Sequence, residues 1–113
     1  MKTETMIDPL GRRWQVRTPS RRRERVRGLL GWQYLDPTEG LLLRARSIHT
    51  VGMRRSIDAV VLDAQLRVID VILLRPGRVL LPRRRVRYVM ETRPGSGLRP
   101  GDRLSRAARS RRG

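Results

Sequence analysis

Between Gly40 and Glu91 the chain repeats one pattern, a short apolar run followed by a turn written in Pro, Gly or Asp. Ile57 to Leu62 (IDAVVL), Leu66 to Leu74 (LRVIDVILL) and Val86 to Glu91 (VRYVME) are short and rich in β-branched residues, which predicts strands rather than packed helices. Asp63-Ala64-Gln65 and Arg75-Pro76-Gly77-Arg78 turn the chain between such runs, since Pro presets φ and Gly accepts positive φ. Leu41 to Arg46 reads as a further strand, Val79 to Leu81 as a short one, and Ser47 to Ser56 as an irregular crossing. Upstream, Arg13 to Thr18 (RWQVRT) alternates with Trp14 and Val16 on one face, again as a strand.

One segment departs from this pattern. Val26, Leu29 and Leu30 fall at i, i+3 and i+4, Thr18 or Ser20 can cap, Pro19 suits a first turn and Gly31 suits a left-handed stop. An amphipathic helix over about residues 20–30 is expected. The fold class that follows is mainly β, a sandwich or distorted barrel with one N-terminal amphipathic helix over an opening. With 113 residues there is room for one domain. It is expected over 11–104, after a polar lead-in at 1–10 and before a basic, disordered tail at 105–113.

Charge sets the second constraint. There are 27 Lys plus Arg against 10 Asp plus Glu, a formal charge of +17, and every cation except Lys2 is arginine. Polyanions are the natural electrostatic partners. The arginines cluster at Arg21, Arg22, Arg23, Arg25 and Arg27, and again at Arg83, Arg84, Arg85 and Arg87, which are the candidate polyanion-binding residues. Neither a helix-turn-helix pattern, a zinc-finger spacing nor an aromatic stacking ladder accompanies them. Cysteine is absent and His49 is the one histidine, so disulfides, thiolate zinc sites, cysteine nucleophiles and polyhistidine metal sites are excluded. No metal or other cofactor is expected. The chain shows no apolar span and no basic-then-apolar leader, which reads as a soluble, cytoplasmic protein without a transmembrane segment.

Three ordered blocks resemble the DUF192 (UPF0127) family of small bacterial and archaeal proteins. ERVRGLLGWQYLDPTEGLLL is similar to its helix-plus-loop opening, SIHTVGMRRSIDAVVLDAQLRVIDV to its central signature, and RYVMETRPGSGLRPGD to its closing strand, Gly-containing turn and Gly-Asp. The resemblance runs from Glu24 to Asp102. It implies a compact, mainly-β domain of jelly-roll-like topology, with no known catalysis and no established biochemical function. Where the family usually has an aromatic and Pro before Ile-Asp, this chain has Arg55 and Ser56, and the turn after Asp63 lacks the usual Gly, with Gln65 near that place.

His49, Met53, Asp58, Glu91 and Asp102 are the polar or soft residues of the signature blocks, and therefore the candidate ligand-facing set. Gathered at one end of the domain, they could present carboxylates and an imidazole to a polar ligand. The structural alternative has His49 and Asp58 satisfying loop donors, Met53 filling core and Asp102 closing a turn. No nucleophile–base pair surrounds them, so catalytic residues are not expected and a hydrolase-type activity is the remote alternative. The leading expectation is a non-enzymatic binding module that meets a protein or small-ligand partner through loops 47–58 and 91–102. The alternative is a nucleic-acid-binding protein using the arginine clusters and the basic tail.

Overall fold

The computed structural model describes residues 2–19 and 36–107, and these form nine strands. In chain order they are β1 (Lys2–Ile7), β2 (Arg13–Thr18), β3 (Glu39–Leu43), β4 (Ile48–His49), β5 (Ile57–Leu62), β6 (Val68–Leu74), β7 (Val79–Leu80), β8 (Tyr88–Thr92) and β9 (Ser105–Arg106). Seven make one sheet in the order β6-β5-β8-β3-β2-β1-β9, and β4 pairs with β7 as a separate ribbon. Only β2 and β3 run parallel, with Gln15 opposite Glu39 and Arg17 opposite Leu41. The remaining pairs are antiparallel.

The sheet curls until its two edges are joined by one piece of chain. Residues 101–104 lie against the start of β6, with Val68 N donating to Asp102 O at 2.7 Å, Gly101 N to Val68 O at 2.8 Å and Leu104 N to Leu66 O at 3.0 Å. Immediately afterwards β9 pairs with β1 at the opposite edge, Ile7 facing Ser105. Closing the ladder in this way satisfies edge groups that an open sheet would expose to other chains.

Both sheet faces carry a core, which explains why IDAVVL reads as an unbroken apolar run instead of an alternating one. Inside the curl, Met6, Trp14, Val16, Leu42, Val60 and Met90 pack with Leu98 and Leu104. On the outer face Leu41, Leu43, Ala59, Val61 and Val89 pack beneath the ribbon residues Ile48 and Leu80 and the loop residues Met53 and Val86. All six residues of β5 are buried as a result. Gly40 lets the two central strands approach, because a Cβ there would stand 2.7 Å from Met90 Sδ and 2.8 Å from its Cγ. Gly40→Ala should therefore destabilise the domain by about 1–3 kcal/mol, the usual cost of overpacking a filled core, read as a lowered midpoint in thermal or urea unfolding.

The expected fold class needs correcting. The mainly-β class stands, but no helix occurs among the described residues, and the segment 20–30 to which one was assigned lies outside them. Strands of the sheet also lie on both sides of 11–104. The polar lead-in is β1, whose Met6 is fully buried, and the first residues assigned to the tail form β9. Residues 108–113 of that tail lie outside the described residues. Strand β8 begins at Tyr88, so Arg83 to Arg87 form a turn ahead of the strand and do not alternate across its faces. No helix among the described residues is long and apolar enough to cross a membrane.

Candidate nucleic-acid interface

The signature residues do not meet around one concavity. Asp58 is buried at the start of β5, and its Oδ2 accepts from Gly95 N at 3.0 Å and Ser96 N at 3.1 Å, pinning the loop that follows β8. Asp102 Oδ2 accepts from Arg99 N at 2.9 Å and closes the turn that feeds the β6 edge. Met53 is outer core. His49 is exposed on β4, its backbone paired with Val79. The loop after it is tied elsewhere: Thr50, fully buried, donates its hydroxyl to Arg75 O at 2.6 Å and accepts from Arg78 N at 2.8 Å. Asp58 and the 91–102 loop are thus brought together, while the 47–53 loop is bonded to the 75–78 turn.

Glu91 is the exception in this set. It stands on the outer face of β8, between Leu41 of β3 and Ala59 of β5, and is 0% exposed. Among the described residues neither carboxyl oxygen has a hydrogen-bond partner. Burial penalises the charged form and pushes the carboxyl up to about 8.

The arginine turn is built differently. Val86 is fully buried in the outer core and its N–H closes on Arg83 O at 3.2 Å, so one apolar anchor holds up a tip carrying Arg84 and Arg85. Arg83 Nη1 pairs with Asp70 Oδ2 at 2.9 Å. Arg87 Nη1 donates to the carbonyls of Val86 at 3.1 Å and Arg84 at 3.3 Å, which fixes the guanidinium against its own turn. No ion pair among the described residues engages Arg84, Arg85 or Arg87. On one side of the tip lies a cleft of about 580 Å³ lined by Ile69, Arg83, Arg84 and Arg85. On the other, a cleft of about 520 Å³ has Arg84, Arg85 and Arg87 on one wall and Asp63 to Gln65 on the other. Among the described residues Asp63 forms no ion pair with that wall; its Oδ1 accepts from Gln65 N and Arg67 N, both at 2.9 Å, within its own turn. The second arginine cluster, Arg21, Arg22, Arg23, Arg25 and Arg27, lies outside the described residues.

Reading the sequence for charge located the turn but not the clefts. Ile69, Ala64 and Gln65 carry no signal of their own and come to the arginines only through the β5–β6 hairpin. Groups of three or more acidic, histidine or cysteine side chains able to hold a metal ion are absent among the described residues.

Comparison with known proteins gives three results. The family model DUF192, uncharacterized ACR, matches residues 5–106. A UPF0127 protein of Pyrococcus horikoshii is 47% identical over 45 residues, 40% of this chain and 39% of the relative, and one of Pyrococcus abyssi is 42% identical over 45 residues, 40% and 38%. The aligned stretch thus spans about two fifths of the length of these curated relatives. Among solved structures, a candidate transcription regulator of Sinorhizobium meliloti superposes with a TM-score of 0.77 at 21% identity, covering 93% of this chain and 94% of that one. A Novosphingobium aromaticivorans protein of unknown function follows with a TM-score of 0.65 at 19% identity, covering 91% and 83%.

Proposed function

The chain belongs to the uncharacterized DUF192 family, and from that premise we propose that it acts by binding and not by catalysis, and that it binds nucleic acid through the Arg83–Arg87 turn. The observation that carries this reading is the exposed arginine tip, anchored by buried Val86 and bounded by two clefts whose cationic walls hold no ion pair to Arg84 or Arg85 among the described residues. Guanidinium groups presented on an anchored turn suit phosphate oxygens, which they meet in a planar fork. The formal charge of +17 adds long-range attraction to the same partner.

The loop-mediated reading has less to support it. Asp58 and Asp102 are committed to backbone amides and Met53 to the core, which leaves His49 as the exposed member of its set. The candidate transcription regulator of Sinorhizobium meliloti adds nothing to either reading, because at 21% identity the likeness carries the fold alone.

Charge reversal at the tip tests the proposal. Arg84→Glu/Arg85→Glu should weaken binding to mixed-sequence oligonucleotides by more than about tenfold near ~0.15 M salt, measured by fluorescence anisotropy. Both side chains are exposed, so the variant should melt like the wild type. Affinity unchanged by the reversal would refute the assignment.

A further inference from the structure

Apart from the nucleic-acid reading of the tip, we infer that the outward face of the β4–β7 ribbon is a peripheral binding surface for anionic lipid, apolar in the middle and cationic at both ends. Packing settles which side of the ribbon faces inward. Ile48 and Leu80 pair across it and are buried in the outer core, so the next pair, His49 and Val79, points away from the domain. The same alternation carries Val51 and Leu81 to the outward side, since Thr50 and Leu80 before them are buried. Val51 is 62% exposed, Val79 60% and Leu81 71%. Five large apolar side chains are exposed among the described residues, and three of them share this one face.

Arginine borders the face at either end. Arg44 and Arg46 lead into β4, at the end where Leu81 leaves β7. At the other end Arg54 and Arg55 follow the 50–53 loop. Thr50 ties that loop to the turn carrying Arg75 and Arg78, its hydroxyl accepting from Arg78 N at 2.8 Å and donating to Arg75 O at 2.6 Å. All six arginines are exposed, and no ion pair among the described residues engages any of them. Segments 44–56 and 75–82 contain no acid.

This combination selects the partner. A nucleic-acid backbone would take the guanidinium groups and leave three apolar side chains in water. A protein partner gains most by seating an anchor in a pocket, and none of the three side chains lines a cleft beside the arginine tip. An anionic membrane surface takes both kinds of group at once and needs no matching contour. The apolar side chains sink to the boundary between headgroups and acyl chains, while the arginines stay at the level of the phosphates and add electrostatic attraction. The contact is peripheral, because strands of two residues reach the interface and cannot span it.

The test uses the full chain in co-sedimentation with phosphatidylcholine vesicles, with and without phosphatidylglycerol, near ~0.15 M salt. The wild type should bind the anionic vesicles and not the neutral ones. Val51→Thr/Val79→Thr/Leu81→Gln removes apolar area without changing charge, and should weaken binding to anionic vesicles about tenfold or more. Arg54→Ala/Arg55→Ala should weaken it by about the same factor and flatten its salt dependence. The substituted side chains are exposed, so both variants should melt like the wild type. The apolar variant should keep its affinity for mixed-sequence oligonucleotides. Equal vesicle binding by the wild type and the apolar variant would overturn the inference, since charge alone would then account for the contact. So would absence of binding to anionic vesicles, or equal binding to neutral ones. Loss of oligonucleotide affinity in the apolar variant would overturn it too, by assigning the ribbon face to nucleic acid. The reading of the tip is decided separately, by Arg84→Glu/Arg85→Glu on oligonucleotides.

Discussion

Glu91→Gln should hold its stability as pH rises from 4.5 to about 8, while the wild-type domain loses about 5 kcal/mol from this one site over the same interval. The sign follows from which state binds the proton more tightly. Glu91 is 0% exposed, flanked by Leu41 and Ala59, and burial raises its folded value to about 8 from an ordinary 4.5. Below 4.5 both folded and unfolded chains carry the proton, so the site adds no pH dependence. Above it the unfolded chain ionises and the folded chain does not, and stability falls by about 1.4 kcal/mol per pH unit until the folded carboxyl ionises too. A loss of this size matches the lower end of whole-domain stabilities, which are about 5–15 kcal/mol. Glutamine keeps the side chain's volume and cannot ionise. The two proteins should be nearly equal in urea unfolding at the acid end and diverge steadily toward the alkaline end, with all other titrating groups common to both. Parallel profiles would mean that folded Glu91 is charged and partnered.

How far such features can be read in advance depends on what encodes them. The extents of β2 and β5 were legible to the residue, since RWQVRT alternates and IDAVVL is a bounded β-branched run. Strand β1 was hidden by composition. Lys2, Thr3, Glu4 and Thr5 look like a polar tail, and the signal that was present, the Asp8-Pro9-Leu10-Gly11 turn between two six-residue segments, is a hairpin signature carried by Pro and a Gly at φ +80°. The two-residue strands β4 and β9 show no period at all; partners about thirty and one hundred positions away define them. Leu66 illustrates tertiary override. It occupies the left-handed position of the β5–β6 turn at φ 63°, where Gly is favoured, because its side chain is needed in the inner core at 5% exposure. The candidate interface divides along the same line. Its charge was local and readable at Arg83 to Arg87. The clefts were not, because Ile69 and Gln65 reach those arginines only through the β5–β6 hairpin, and Arg103 reaches Gln65 only when the C-terminal segment closes the curl.

Asp8→Ala should destabilise the domain by about 3–5 kcal/mol, the cost of removing one partner from a buried, hydrogen-bonded charge pair. The side chain is 4% exposed and accepts four hydrogen bonds. Oδ1 takes Leu10 N at 2.9 Å and Arg12 N at 3.0 Å, shaping the β1–β2 turn. Oδ2 takes Arg12 Nε at 2.7 Å and the indole Nε1 of fully buried Trp14 at 3.0 Å. Truncation strands that indole N–H in the inner core and frees Arg12, whose guanidinium lies 5.4 Å from the Trp14 ring centroid and fills the space where a Cβ on Gly97 would sit 3.1 Å away. Because the Arg12 side chain is 35% exposed and water can solvate the freed cation, the lower half of the range applies. Asp8→Asn keeps the acceptor geometry and loses the charge, and should cost about 1–2 kcal/mol. Burial alone would raise the Asp8 carboxyl, but the bonds from Trp14 and Arg12 and the Arg12 charge outweigh it and hold the group below 3.8. Its contribution is therefore present above the ordinary value and lost as pH falls through the folded one, opposite in sense to Glu91. Urea unfolding of wild type, Asp8→Asn and Asp8→Ala at neutral pH, repeated toward acid, separates the two sites. The Asp8 variants should converge on the wild type as acid neutralises the carboxylate, and a gap that stays constant with pH would mean that packing, and not the charge, is what Asp8 supplies.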